Sequence, residues 1–175
     1  PVPARLFPTL EEASRKFAGG NPVYLRARLV LEHLVDPVGF LREAVEIPQR
    51  VKGIIITVPN DFTGLQQRIV DRDKTGYWFI DKTHINYFDR RGLDGVLREA
   101  GLEAVAWYAT APLELAQLWL GQRYIGDEVI GQRVHLARLR LEKTMGRVAW
   151  KLYGILFNKL SWGREILCIA KLKEK

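Results

Sequence analysis

Cysteine is all but missing: Cys168 stands alone. No internal disulfide can form, so a reducing, cytoplasmic setting is the expectation. Cys168 lies in the apolar run Ile166-Leu167-Cys168-Ile169 and reads as a buried small hydrophobe rather than a nucleophile. Methionine is as scarce. Met145 is the single one and the chain opens on Pro1, which fits removal of an initiator before proline and fits equally a chain that begins partway through a gene product. No uninterrupted apolar run of about 18 residues occurs, which leaves no candidate membrane span. No apolar stretch follows Pro1 to Arg5, so no signal peptide is read. Repeats and low-complexity tracts are lacking too. What remains is 175 residues, 47% hydrophobic and 27% charged, the composition of one globular domain with a real core.

Acidic charge is the minority sign. The net charge is +7, and the excess sits mainly in the last third. A basic surface attracts nucleic acid, anionic lipid or a phosphorylated substrate. A solvated helix face is the plainer alternative.

Along the chain, Ala4 to Phe7 has the pattern of a short strand, and Thr9 could cap a helix running through Phe17 to Gly19-Gly20. Val23 to Leu31 alternates apolar and polar residues like a strand. Asp36-Pro37 opens a helix with the stripe Phe40, Leu41, Ala44 and Val45. Ile54 to Val58 is a continuous apolar run, the mark of a strand covered on both faces. Residues 61–88 read as a long loop with the aromatics Tyr77, Trp78, Phe79, Tyr87 and Phe88, and a loop of that length is usually functional. Asp89 caps the next helix, with Leu93, Val96, Leu97 and Ala100 at helical spacing, and Leu102 to Tyr108 is a strand. Residues 113–160 are mostly helical, with one stripe at Leu113, Leu115, Leu118 and Trp119 and another at Leu152, Ile155, Leu156 and Leu160. Glu165 to Leu172 closes as a strand. Alternation of this kind argues for an α/β sheet with helices on both faces.

Three segments stand in order. The first is Leu29-Val30-Leu31-Glu32-His33-Leu34-Val35-Asp36-Pro37 with Phe40-Leu41-Arg42-Glu43. The second is Gly53 to Val58 followed by Pro59-Asn60. The third is Thr83-His84-Ile85-Asn86-Tyr87-Phe88, then Leu93 and Leu97 to Leu102. Together they resemble the class I S-adenosylmethionine-dependent methyltransferases, of the small-molecule type that includes C-methylating deoxysugar and ubiquinone-biosynthesis enzymes. The resemblance covers roughly residues 23–108, and Ile166 to Lys173 suits the antiparallel closing strand of that fold. It implies an incomplete Rossmann-like sheet, mostly parallel with an antiparallel last strand, and a helical insert near the C-terminus. The expected division is a core over 1–112, a helical insert or cap over 113–162 and the final core strand over 163–175.

By the resemblance, the fourth family strand ends at the Leu31-Glu32-His33 segment, so Arg28, Leu29, Glu32 and His33 fall on the cofactor side of the cleft. Asn60 ends the fifth strand on the same side of the sheet and would contact the substrate. Tyr77, Trp78, Asn86 and Tyr87 would border the acceptor, and His84 would be the general base, since an imidazole suits proton removal near neutrality. Each has a plainer reading: a turn anchor for Glu32 and His33, an ordered loop for His84, core packing for the aromatics. Some relatives bind a divalent metal through Glu-x-x-Glu-His. Here Leu29 occupies the first position, and no metal is expected.

The family's glycine-rich turn after its first strand, and the acidic residue ending its second, have no counterpart here. Gly19-Gly20 runs into Asn21-Pro22 instead of a helix. Residues 1–22 read as the family's third strand and following helix, and Val23 to Leu31 would then be an exposed edge. S-adenosylmethionine binding by this chain alone is expected to be weak or absent, so enzymatic activity depends on the absent segment being supplied. A small-molecule acceptor is the expected partner, with a homo-oligomer or a missing N-terminal half completing the sheet. The alternative is a non-catalytic module that binds a protein partner, nucleic acid or an anionic membrane through its basic helical region, with Trp119, Trp150, Tyr153 and Trp162 at an interface. Nucleic acid ranks last, because no aromatic RNP-type signature is present.

Overall fold

The computed structural model describes residues 23–46, 51–121 and 124–173. The expected strand at Ala4 to Phe7 and helix at Thr9 to Phe17 lie outside them. In chain order the elements are β1 (Val23–Arg28), a single 3-10 turn (Leu31–His33), α1 (Pro37–Glu46), β2 (Val51–Pro59), α2 (Gly64–Asp73), α3 (Arg90–Glu99), β3 (Leu102–Ala109), α4 (Glu114–Trp119), α5 (Glu128–Thr144), α6 (Arg147–Lys159) and β4 (Glu165–Leu172).

The chain is α/β, with a four-stranded mixed sheet in the order β1-β2-β4-β3. β1 pairs parallel with β2, in a register that sets Arg28 beside Thr57. β4 runs antiparallel to both neighbours, with Ile56 opposite Cys168 on one side and Trp107 opposite Cys168 on the other. The sheet therefore has one parallel and two antiparallel pairings, because the reversed strand sits between two strands of common direction. β1 is an edge among the described strands.

β2 explains itself. Its apolar run lies between two partners, and Ile54, Ile56 and Val58 are fully buried. Helices cover both faces of the sheet. Successive residues of a strand point opposite ways: Trp107 joins the core formed with α1 and α3 through Leu41, Ala44, Leu93 and Leu97, while Tyr108 meets Gly154 and Trp150 of α6. Asp89 caps α3 by accepting the Gly92 N–H at 2.7 Å. Cys168 is buried in the same core, and burial pushes its thiol up to about 12.

Two expectations need correction, and two further points go beyond the sequence reading. The stretch 61–88 is not all loop, because α2 occupies Gly64–Asp73. Its start carries a capping box: Thr63 accepts the Gln66 N–H, and the Gln66 side chain accepts the Thr63 N–H at 2.8 Å. Leu65 and Ile69 supply its buried face. β1 stops at Arg28 rather than Leu31, because Leu29 adopts φ +53° and turns the chain out of the sheet. Leu152, Leu156 and Leu160 do not form the packed face of α6. They are exposed, and Gly154 and Asn158 are the residues it buries. The basic helical stretch is not wholly solvated either, since Arg138 is buried.

Candidate functional site

β1 and β2 deliver their carboxyl ends to one place. After Arg28 the chain leaves β1 through Leu29, whose N–H still donates to the Thr57 carbonyl at 2.8 Å. The 3-10 turn follows at once, anchoring Leu31 in the core and carrying Glu32 and His33 past the sheet edge. A non-glycine residue held at positive φ marks local strain, and such strain clusters at functional sites.

The loop bearing His84 is stitched onto that turn by its backbone. The Ile85 and Asn86 N–H groups donate to the Glu32 carbonyl at 2.8 and 3.0 Å. The Asn86 side-chain amide donates to the carbonyls of Leu31 and Leu34 at 3.1 and 2.6 Å. His33 Nδ1 lies 3.0 Å from the Thr83 carbonyl. The two imidazoles meet edge-on with ring centres 4.9 Å apart. Residues some fifty positions apart in sequence thus become one cluster.

β2 brings the next group. Beyond Pro59 and Asn60, Asp61 is pinned by its N–H on the Phe88 carbonyl at 3.1 Å. Burial pushes its carboxyl up to about 6, against the opposing pull of Arg164 and His84 and with a further push from Glu32 and Glu114. Arg164, just ahead of β4, reaches the buried carboxylate of Glu114 at 3.1 Å.

These groups line a cavity of about 340 Å³ together with Leu29, Trp78, Phe79 and Asp81. The Glu32 carboxylate is only 1% exposed, and neither of its oxygens accepts a hydrogen bond. One Asp61 oxygen and His84 Nδ1 are also buried and unbonded. Groups left unsatisfied in this way are costly unless a ligand answers them. Opposite them stands an aromatic wall, where Phe79 packs edge-on against Trp78 and Phe62 at 5.2 and 5.0 Å between ring centres. A larger open depression of about 630 Å³ borders the other side of Asp61. Within it Arg98 pairs with Asp94 at 2.6 Å, and Arg90 stacks on Trp107.

Of the residues singled out by sequence, Leu29, Glu32, His33, Trp78 and His84 line the smaller cavity. The others do not. Arg28 is half-exposed and approaches Glu165 at 3.9 Å. Asn60 is buried, its amide donating to the Gly163 carbonyl at 2.7 Å. Asn86 is occupied by the turn carbonyls, Tyr87 donates its hydroxyl to the Asp81 carbonyl at 3.0 Å, and Tyr77 packs against Phe62 and Phe79. Sequence reasoning missed Asp61 and Arg164. Asp61 is the first acid after a buried strand's end, and Arg164 lies just ahead of the strand whose register sets Glu165 opposite Pro59.

Three ligand atoms, one each from Glu32, His33 and His84, lie within 4.8 Å of one another, so this trio could share a metal ion. S-adenosylmethionine fits less well. Among the described residues, no glycine turn from a strand end to a helix start opens on the cavity. The turn after β1 carries Leu29 and Glu32, and the helix start after β2 is closed by the Thr63–Gln66 cap. The described residues do not by themselves make a seat for that cofactor.

No protein-family profile matches this chain, and no curated protein matches it. Its fold is similar to solved structures that include S-adenosylmethionine-dependent methyltransferases. One is a SAM-dependent methyltransferase from Archaeoglobus fulgidus, 16% identical over 95% of this chain and 66% of that one, with a TM-score of 0.46. Another is a provisionally assigned methyltransferase solved in complex with the Haloferax volcanii methyltransferase activator, 11% identical over 89% and 56%, TM-score 0.44. A third is the cyclase SpnF, 18% identical over 89% and 51%, TM-score 0.40. The chain spans about half to two thirds of the length of these proteins. At TM-scores below 0.5 the likeness decides neither activity nor substrate.

Proposed function

We propose that this chain forms the acceptor side of a class I methyltransferase domain acting on a small molecule. The observation that carries the reading is the meeting of Glu32, His33, Asp61 and His84 in one cavity at the carboxyl ends of β1 and β2. Open α/β sheets bind ligands at such strand ends. S-adenosylmethionine would supply the methyl group, and the groups that seat it would come from outside the described residues.

Within the cavity this chain's work is positioning and proton removal. The unbonded Nδ1 of His84 accepts the acceptor's proton. Asp61, with its carboxyl near 6, can exchange that proton close to neutral pH. Trp78 and Phe79 shield the acceptor from water.

The test is calorimetry with S-adenosylhomocysteine on this chain and on a version extended upstream, paired with transfer of labelled methyl into a small-molecule extract. The extended version should bind and transfer. His84→Ala should lower its turnover by about 100-fold or more while leaving S-adenosylhomocysteine affinity unchanged. Failure of every version to bind S-adenosylhomocysteine, or full turnover in His84→Ala, would refute the reading.

The metal-ligand geometry of Glu32, His33 and His84 favours a second reading. A divalent ion held there would polarise the acceptor oxygen, and His84 would be its ligand rather than a free base. Chelation separates the two: EDTA leaves turnover intact if His84 is the base and abolishes it if the trio holds an ion.

A further inference from the structure

α6 presents two contrasting faces. Its inner side packs on β3 through Gly154, where an added Cβ would come within 3.2 Å of the Tyr108 side chain, and through Trp150, whose ring lies 5.6 Å from that of Tyr108. Its outer side carries Val148, Leu152, Leu156 and Leu160, all exposed, from 74% at Val148 to 41% at Leu160. A spacing of four puts them in one column along the helix and into the residue that follows it. Beside that column run Arg147, Lys151 and Lys159, also exposed.

The apolar column continues past the helix. Trp162 meets Trp119 edge-on, with ring centres 6.1 Å apart. Trp119 is 65% exposed, as is its neighbour Leu120 at 73%. On the preceding helix, α5, the exposed residues include Leu136 and Leu141 together with Arg133, Arg140 and Lys143. Residues 128–160 hold seven Lys and Arg against two Glu. Arg138 and Glu142 face each other at 4.0 Å, leaving six cations and Glu128.

We infer that the outer face of α6 lies on an anionic lipid surface, with its leucine column and the neighbouring Trp119 entering the headgroup region and the flanking cations meeting lipid phosphates. An interfacial helix sets an apolar column beside a cationic one, and tryptophans favour the boundary between hydrocarbon and water. The single sign of the charge selects this occupant. A protein partner with an apolar groove would not require cations along the whole column, and a second copy would bring like charges together. No described helix is long and apolar enough to cross a membrane, so the contact is peripheral. This inference does not depend on the cavity at β1 and β2.

The experiment is co-sedimentation of the intact chain with phosphatidylcholine vesicles and with vesicles that also contain phosphatidylglycerol. Binding should require the anionic lipid and weaken as salt is raised. Lys151→Glu with Lys159→Glu should lower affinity by roughly tenfold or more, since each cation near an anionic surface is worth about fivefold. Leu152→Glu with Leu156→Glu should abolish binding. All four positions are exposed, so an unchanged circular dichroism spectrum and melting temperature should show that the variants fold. Equal binding to both vesicle types, no binding to either, or unaltered binding by the folded leucine variant would overturn the inference. So would a concentration-dependent dimer that the leucine variant dissolves while vesicles are ignored, which would assign the face to a second copy.

Discussion

Asp61 should make the protein less stable as the pH rises from acid to neutral. Its carboxyl is buried and its pKa is pushed from 3.8 to about 6 in the folded state. In the unfolded chain it titrates near the ordinary value. Well below pH 3.8 both states hold the proton and the residue is neutral to stability. As the pH climbs, the unfolded state ionises first and is favoured. Once the pH passes the folded pKa the penalty levels off. A difference of about two units at about 1.4 kcal/mol per unit makes that penalty about 3 kcal/mol, a large part of a typical domain's stability.

Asp61→Asn removes the titration and keeps the backbone bond to Phe88 and nearly the same shape. One carboxylate oxygen is unbonded, so the substitution sacrifices little. Urea unfolding of both proteins at several pH values between about 4 and 7.5 gives the difference directly and cancels the other titrating groups. The variant should match the wild type at the acid end and exceed it by about 1–3 kcal/mol at neutral pH. A difference independent of pH, or a variant less stable at neutral pH, would refute the reasoning. The expected result would also show a residue kept against the interest of stability, as is common where a group serves a ligand.

Asn86→Ala should lower unfolding free energy by about 1–3 kcal/mol, because the carbonyls of Leu31 and Leu34 lose their donor. Amide exchange at Ile85 and Asn86 should quicken in the same variant as the loop loosens from Glu32. Gly154→Val should cost about 1–3 kcal/mol in urea unfolding, since its Cβ would crowd Tyr108 and push α6 off β3. The cost should shrink when Tyr108→Ala is added.

The elements whose apolar residues have a clear period were legible from sequence. The Pro37 and Asp89 helix starts and the buried run of β2 follow from caps, spacing and pattern, whereas the reversed direction of the last strand came from the family resemblance. α2 was hidden because Gly64, Gln66, Gln67, Arg68, Asp71 and Arg72 swamp its two buried apolar residues. Its capping box was the legible signal. Of the site, Glu32, His33 and His84 stood in the motifs. Asp61 and Arg164 did not, because their roles come from strand register rather than from neighbours in sequence. The outward direction of Leu152 and Leu156 was not legible for a related reason. Leucines spaced by four fix a common helix side but not which way that side faces, and Gly154 settles it by letting Tyr108 approach.

β4 lies between β2 and β3, yet it follows every other described strand in the chain. During synthesis β4 is therefore made after both of the strands it joins. Until residues 165–172 leave the ribosome, β2 and β3 each carry a bare inner edge with nothing to join them. The bond from Asn60 to Gly163, across 103 positions, waits as well. Topologies closed by such distant pairings fold slowly, and open edges invite the wrong partner. The nascent chain therefore stays vulnerable until β4 slots between β2 and β3.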